Sequence, residues 1–269
     1  MSKRRGSAPP GHSFSTSGEK INDDVIINHL RDYRSDPFLA HEGGSKILSK
    51  YFQRDHSIIV NHKKVYRLCK ENNLLLTRRK KKKSKFKKLS INREVTKENQ
   101  VWEFDIKYGF IAGEKRFFFL LAFIDVFTRE LKAWHVGRSC TGEDLTLVLN
   151  SALYSEGITE DDNLVIRSDN GSQMTSKHFQ ANIEKLLIEH EFIPVKTPNK
   201  NAHIESFFSI VDKHLQYQYF WSLKEAYEWM IEFINYYNED RIHGSLGMSP
   251  IEFSNTKELH CQAKFAQAI

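Results

Sequence analysis

The run Phe117-Phe-Phe-Leu-Leu-Ala-Phe-Ile124 constrains the fold of this chain more than any other stretch. It is apolar at every position, without the alternation of a half-exposed strand. It ends at Asp125, and no apolar run in the chain reaches the 18 residues or more of a membrane span. That pattern predicts a strand buried on both faces. Such a strand needs helices above and below it, which points to an α/β fold.

The neighbouring segments fit this sheet. Val101–Phe110 reads as the strand before it and Leu131–Val136 as the strand after it. Helical periodicity over Glu143–Leu153 leads to a fourth strand at Asn163–Ser168, followed by a helix over Ser176–Ile188. Phe192–Val195 predicts a short edge strand, because Pro194 cannot donate to a ladder. From Ala202 to about Tyr237 the pattern is helical. The expected core is a mixed sheet flanked by helices, with Trp102, Phe123, Trp134, Phe207, Trp221 and Trp229 inside it.

Residues 22–76 differ in character. They predict short helices, with Asn61 as the cap of the last and Lys63, Lys64 and Arg67 on its outer face. This suits a small all-α, helix-turn-helix-like domain whose last helix enters the major groove; the alternative is a helical bundle with a solvated basic face. Residues 1–21 read as a basic flexible arm, 77–99 as a basic linker, 100–254 as the α/β core and 255–269 as a tail. The linker holds Arg78, Arg79, Lys80, Lys81, Lys82 and Lys83, a density that suits phosphate contact.

Charge divides the chain in the same way. Residues 1–100 carry 24 Lys and Arg against 10 Asp and Glu, whereas the rest carries 16 against 24. A basic third suits nucleic acid. An acidic remainder would repel DNA unless some carboxylates hold cations that reverse the local field. Cys69, Cys140 and Cys261 are odd in number and far apart, which suits reduced thiols in the cytoplasm. No signal peptide is visible at the N-terminus.

Three acids stand where such cations would bind. Asp105 lies within one predicted strand, Asp169 just after another, and Glu205 in the first turns of a helix, with 35 residues between the last two. Neighbouring strands would let the two aspartates share one Mg²⁺, and Glu205 would reach in from the side to hold a second. Two such ions would serve an in-line displacement at phosphorus. Glu103 and Asp125 compete as nearby acids, and Asp169-Asn-Gly171 is also a plain turn sequence.

The surrounding motifs carry a resemblance. They are Trp102-Glu-Phe-Asp-Ile-Lys-Tyr108, Ile124-Asp-Val-Phe-Thr-Arg129, Ser168-Asp-Asn-Gly-Ser-Gln173, Asn201-Ala-His-Ile-Glu-Ser-Phe-Phe208, Tyr236-Tyr-Asn-Glu-Asp-Arg-Ile-His-Gly-Ser-Leu246 and Ser249-Pro-Ile-Glu-Phe253. In their order and spacing the chain resembles DDE-type insertion-sequence transposases, in particular the catalytic subunit translated from the second of two reading frames. That family has a ribonuclease-H-like core, as retroviral integrases do. Lys200 and Ile242 depart from its usual acidic residue and proline. The N-terminal third holds only Cys69, which argues against the zinc module of retroviral integrases.

The resemblance implies a polynucleotidyl transferase in which Asp105, Asp169 and Glu205 are the catalytic, metal-binding triad. It implies two Mg²⁺ ions, with Mn²⁺ able to substitute, and metal-dependent strand cleavage followed by strand transfer. The implied partners are terminal inverted repeats, target DNA, further copies of the chain and the first-frame protein. The implied location is the cytoplasm, at the nucleoid. Lys200, Asn201, Arg241 and His243 are further candidates for DNA contact. Two other functions remain open from the residues: a DNA-binding regulator of transposition with an inactive core, and a ribonuclease-H-like nuclease.

Overall fold

The computed structural model describes residues 11–76, 93–193 and 201–256. The chain divides into two units, Met1–Lys83 with Ile242–Gly247 and Ser84–Arg241 with Met248–Ile269.

In the first unit, β1 (His12–Ser15), β2 (Lys20–Asn22) and β3 (Ile58–Ile59) form a small antiparallel sheet in the order β2-β1-β3. Part of the expected flexible arm is therefore a hairpin. Gly18, at φ +87, lets the chain reverse, and Phe14 pairs with both Lys20 and Ile59. The distant partner at Ile59 is what local composition could not show. Helices α1 (Asp23–Ser35), α2 (Ser45–His56) and α3 (His62–Glu71) follow the expected order. Their apolar stripes meet in one core of Ile26, Leu30, Tyr33, Leu48, Phe52, Val65, Leu68 and Cys69. Asn61 caps α3, its side chain accepting from the Lys63 amide at 2.9 Å.

The second unit is built on β4 (Val101–Ile111), β5 (Arg116–Asp125), β6 (Leu131–Gly137), β7 (Val165–Ser168) and β8 (Glu189–Phe192). Their order is β6-β5-β4-β7-β8. The first three strands are antiparallel, and β7 and β8 run parallel to β4. This ribonuclease-H-like sheet has the double-sided apolar run as β5, buried from Phe118 to Ile124 except at half-buried Phe119. On one face α4 (Gly142–Ser155) and α5 (Lys177–Lys185) pack against Phe104, Leu121 and Phe123. The other face receives α6 (Ala202–Leu215), while α7 (Leu223–Asn235) lies against β6.

One expected strand is misplaced. The last strand is Glu189–Phe192, earlier than predicted; its polar sequence hides it, and ion pairs from Arg93 and Arg167 to Glu189 and Glu191 cover the edge. Residues 194–200, including Pro194 and Val195, lie outside the described residues. The helical stretch expected from Ala202 to about Tyr237 is two helices, because Ser222 caps a new one by accepting from the Glu225 amide. At the break the chain bends toward the β4–β5 turn, where the Gly113 amide donates to the Phe220 carbonyl. A Cβ at Gly113 would lie 2.3 Å from the Trp221 carbonyl oxygen, so a side chain there would force the two segments apart. Trp221, expected in the core, is 66% exposed. Among the described residues no helix is long and apolar enough to cross a membrane.

Candidate active site

Strand register brings two of the acids to one place. In the parallel β4–β7 pair, Glu103 lies opposite Arg167. Two residues further along each strand stand Asp105 and Asp169. Alternation puts residues two apart on one face, and adjacent strands are about 4.8 Å apart. The two aspartates therefore follow Glu103 and Arg167 in the same file, at the point where β7 ends. Asp169 begins the turn after β7, its Oδ1 accepting from the Gly171 amide at 2.9 Å. A Cβ on Gly171 would meet that oxygen at 3.1 Å and the Met174 sulfur at 2.9 Å, so glycine keeps this turn tight.

The third acid comes from α6. Glu103, on the same face of β4 as Asp105, accepts from the His203 and Ile204 amides at 2.8 and 3.1 Å. These are orphan donors at a helix N-terminus. The helix is thus pinned by its first turn to the strand that carries Asp105, and Glu205 is the next residue.

Electrostatics register the convergence. Burial pushes the Asp105 carboxyl up to about 6, and the charges of Asp169 and Glu205 push the same way. The Ile106 amide, which donates to Asp105 Oδ1 at 2.7 Å, and Lys107 oppose them. Glu205 is raised by burial and by the charge of Glu103. Among the described residues neither Asp105, Asp169 nor Glu205 has an ion-pair partner, and each aspartate has only one oxygen hydrogen-bonded. A half-buried carboxylate such as Asp105, which feels the charges of two exposed acids and has no cation partner, is costly unless a cation is supplied. The donor chemistry suits a hard divalent ion. In the side-chain arrangement seen here, no three His, Cys, Asp or Glu residues among those described close into a ligand cluster.

The competing acids are occupied elsewhere. Asp125 accepts from the Asn99, Phe127 and Thr128 amides and from the Thr128 hydroxyl, and so holds the turn after β5. Glu103 is spent on α6, on His203 Nδ1 at 2.9 Å and on Arg167 at 3.5 Å.

Residues 95–198 and 186–250 match two family models, each described as an integrase core domain, and residues 38–82 match one described as an HTH-like domain. The chain belongs to the integrase-core family. It is also related to insertion-sequence transposases. It is 32% identical over 192 residues to an uncharacterized protein of insertion element IS476 from Xanthomonas euvesicatoria, across 71% of this chain and 54% of that protein. It is 28% identical over 164 residues to the transposase for insertion sequence element IS904 of Lactococcus lactis, across 60% of this chain and 63% of that one. The chain thus spans about half the length of the first relative and under two thirds of the second. Among solved structures, the HTLV-2 integrase catalytic core domain in complex with magnesium aligns with a TM-score of 0.45 at 16% identity, over 58% of this chain and 96% of that chain. The Mos1 mariner transposase catalytic domain aligns at 0.43 and 17%, over 51% and 70%.

Several of the expected DNA-contact residues have partners within the protein. Asn201 is buried at the start of α6 with its Nδ2 3.5 Å from the Phe104 carbonyl, so it packs inward rather than toward a phosphate. The Arg241 guanidinium lies over the Tyr237 ring at 5.7 Å. His243 Nδ1 pairs with the Ser245 hydroxyl at 3.0 Å. In the HTH-like unit, Lys64 corrects the outward-facing expectation. Its ammonium sits on Asp23 and donates to the His12 carbonyl and to Ser13 Oγ. Arg67 is shared between Asp23 and Glu71. Only Lys63 of the three is exposed, and Tyr66 and Lys70 join it on the outer face of α3. Their spacing of three and four residues was the available signal. Arg78, Arg79, Lys80, Lys81, Lys82, Lys83 and Lys200 lie outside the described residues.

Proposed function

We propose that this chain is the catalytic part of a transposase that cleaves DNA strands at the ends of an insertion element and joins them to target DNA. Asp105, Asp169 and Glu205 are the site. What supports the reading is the β4–β7 register, which sets Asp105 on one strand and Asp169 at the end of its neighbour, together with the pinned first turn of α6, and the push of Asp105 up to about 6 by burial and by the charges of Asp169 and Glu205. Family membership supplies the reaction class, polynucleotidyl transfer.

Asp105 and Asp169 would share one Mg²⁺ and Glu205 would complete the site of a second, with Mn²⁺ able to replace them. When bound, the ions would sharpen the attacking hydroxyl and stabilise the leaving oxygen. The chain contributes rigid placement: a strand middle, a strand end and a pinned helix. No nucleophilic Ser or Tyr is needed. The HTH-like unit, with Lys63, Tyr66 and Lys70 outward on α3, would hold the terminal repeats, and the basic residues from Arg78 to Lys83 would add phosphate contacts. Further copies of the chain on DNA, and the first-frame protein, are the expected partners, in the cytoplasm at the nucleoid.

The test is cleavage and joining of an end-containing duplex in Mg²⁺. Asp169→Asn and Glu205→Gln proteins should fall to background while binding the duplex as tightly as the parent. Near-parental rates with intact DNA binding would overturn the assignment. A parent that binds ends but never cuts them would mark a regulator instead.

A further inference from the structure

Glu103 was only a rival for the site on sequence grounds, yet it is buried and held by donors from other elements. Its side chain is 1% exposed. Oε2 accepts the His203 and Ile204 amides, and Oε1 faces His203 Nδ1 and Arg167. Arg129, itself half-buried, lies within reach of its charge. A buried carboxylate is tolerated when several donors satisfy it together. This one takes its donors from a helix a hundred residues away in sequence. Helix N-termini are usually capped by a residue just before them. Here the residue in that position is Asn201, and its side chain makes no cap hydrogen bond. The cap is supplied by β4 instead.

The second link between these two elements is at Lys107. Its ammonium pairs with Asp212 on α6 at 2.8 Å and lies over the Phe208 ring at 5.8 Å. Glu103, Asp105 and Lys107 are alternate residues on one face of β4. The two that flank Asp105 both grip α6, one at its first turn and one about two turns later. The helix that carries Glu205 is therefore fixed in height and rotation against the strand that carries Asp105.

We infer that Glu103 is the positioning residue of the acidic site: it caps α6 from β4 and so sets where Glu205 stands relative to Asp105. It makes no contact with the reacting atoms. The inference rests on the metal-site reading above, and it adds a residue that reading did not contain. Groups that orient metal ligands in this way typically contribute about 10- to 100-fold in metal affinity or activity.

The experiment uses the full chain with Glu103→Gln, which keeps the size but replaces one acceptor oxygen by a donor. Two quantities are measured: amide hydrogen exchange at His203 and Ile204, and Mn²⁺ affinity by titration calorimetry. We expect faster exchange confined to the first turn of α6, Mn²⁺ affinity weakened about 10- to 100-fold, and unchanged binding to an end-containing duplex. If Glu103→Gln fails to fold, the Glu103→Gln/Arg167→Met protein removes the orphaned guanidinium and is measured in its place. Unchanged exchange, or faster exchange with unchanged Mn²⁺ affinity, overturns the inference. Glu205→Gln is run alongside. If it weakens Mn²⁺ binding while Glu103→Gln does not, the latch alone fails. If Glu205→Gln leaves Mn²⁺ binding unchanged, the metal-site reading fails and the inference with it.

Discussion

Asp105 is where burial and charge pull against each other. Its carboxyl titrates near 6 in the folded chain against an ordinary 3.8, with burial the largest cause. The folded state then binds more protons than the unfolded one between those values, so stability falls as pH rises through that window. Above it the penalty is complete, at about 3 kcal/mol. An Asp105→Asn protein should therefore melt higher than the parent at about pH 7.5 without metal. The gain should disappear below about pH 4, where both states of the parent are protonated. Saturating Mg²⁺ should raise the melting temperature of the parent at pH 7.5 and leave that of Asp105→Asn nearly unchanged. Thermal melts at the two pH values, with and without the ion, check all three outcomes. The sequence allowed this residue to be chosen but not its titration, which depends first on burial in the folded sheet and then on the charges of Asp169 and Glu205.

At the scale of elements, legibility followed the apolar pattern. The β5 run had one reading, and it became a strand covered on both faces. Glu189-His-Glu-Phe192 had no apolar pattern to betray it, because ion pairs rather than burial cover its outer side. The break between α6 and α7 contained a signal, Ser222 followed three residues later by Glu225, which is a capping pattern. The aromatics Tyr217, Tyr219, Phe220 and Trp221 obscured it. The outward face of α3 was misread by one residue, and that shift has a measurable consequence. Lys63→Ala should weaken binding to an end-containing duplex without altering the melting temperature. Lys64→Met should lower stability by about 1–3 kcal/mol, since it leaves Asp23 with Arg67 alone and takes a donor from the His12 carbonyl. Parallel DNA-binding and melting measurements on both proteins separate the roles; equal DNA-binding losses with equal stability would contradict them.

Over the whole molecule, the charge split acquires a cause. Residues 1–100 carry the basic excess and the matched HTH-like segment, and the remainder carries the acids of the integrase core. An acidic catalytic face is hostile to DNA until cations fill it. Folding creates that face by a short piece of arithmetic, in which parallel pairing of Glu103 with Arg167 leaves Asp105 and Asp169 next in line. Motif order suggested which acids belong together; the register and the capped helix set the elements that carry them side by side. The most direct measurement is the anomalous diffraction of Mn²⁺ in crystals of the chain with end-containing DNA. The account predicts one Mn²⁺ peak shared by the Asp105 and Asp169 carboxylates and a second held by Glu205. Saturating Mn²⁺ with no peak at these side chains, or with peaks held by other acids, would contradict it.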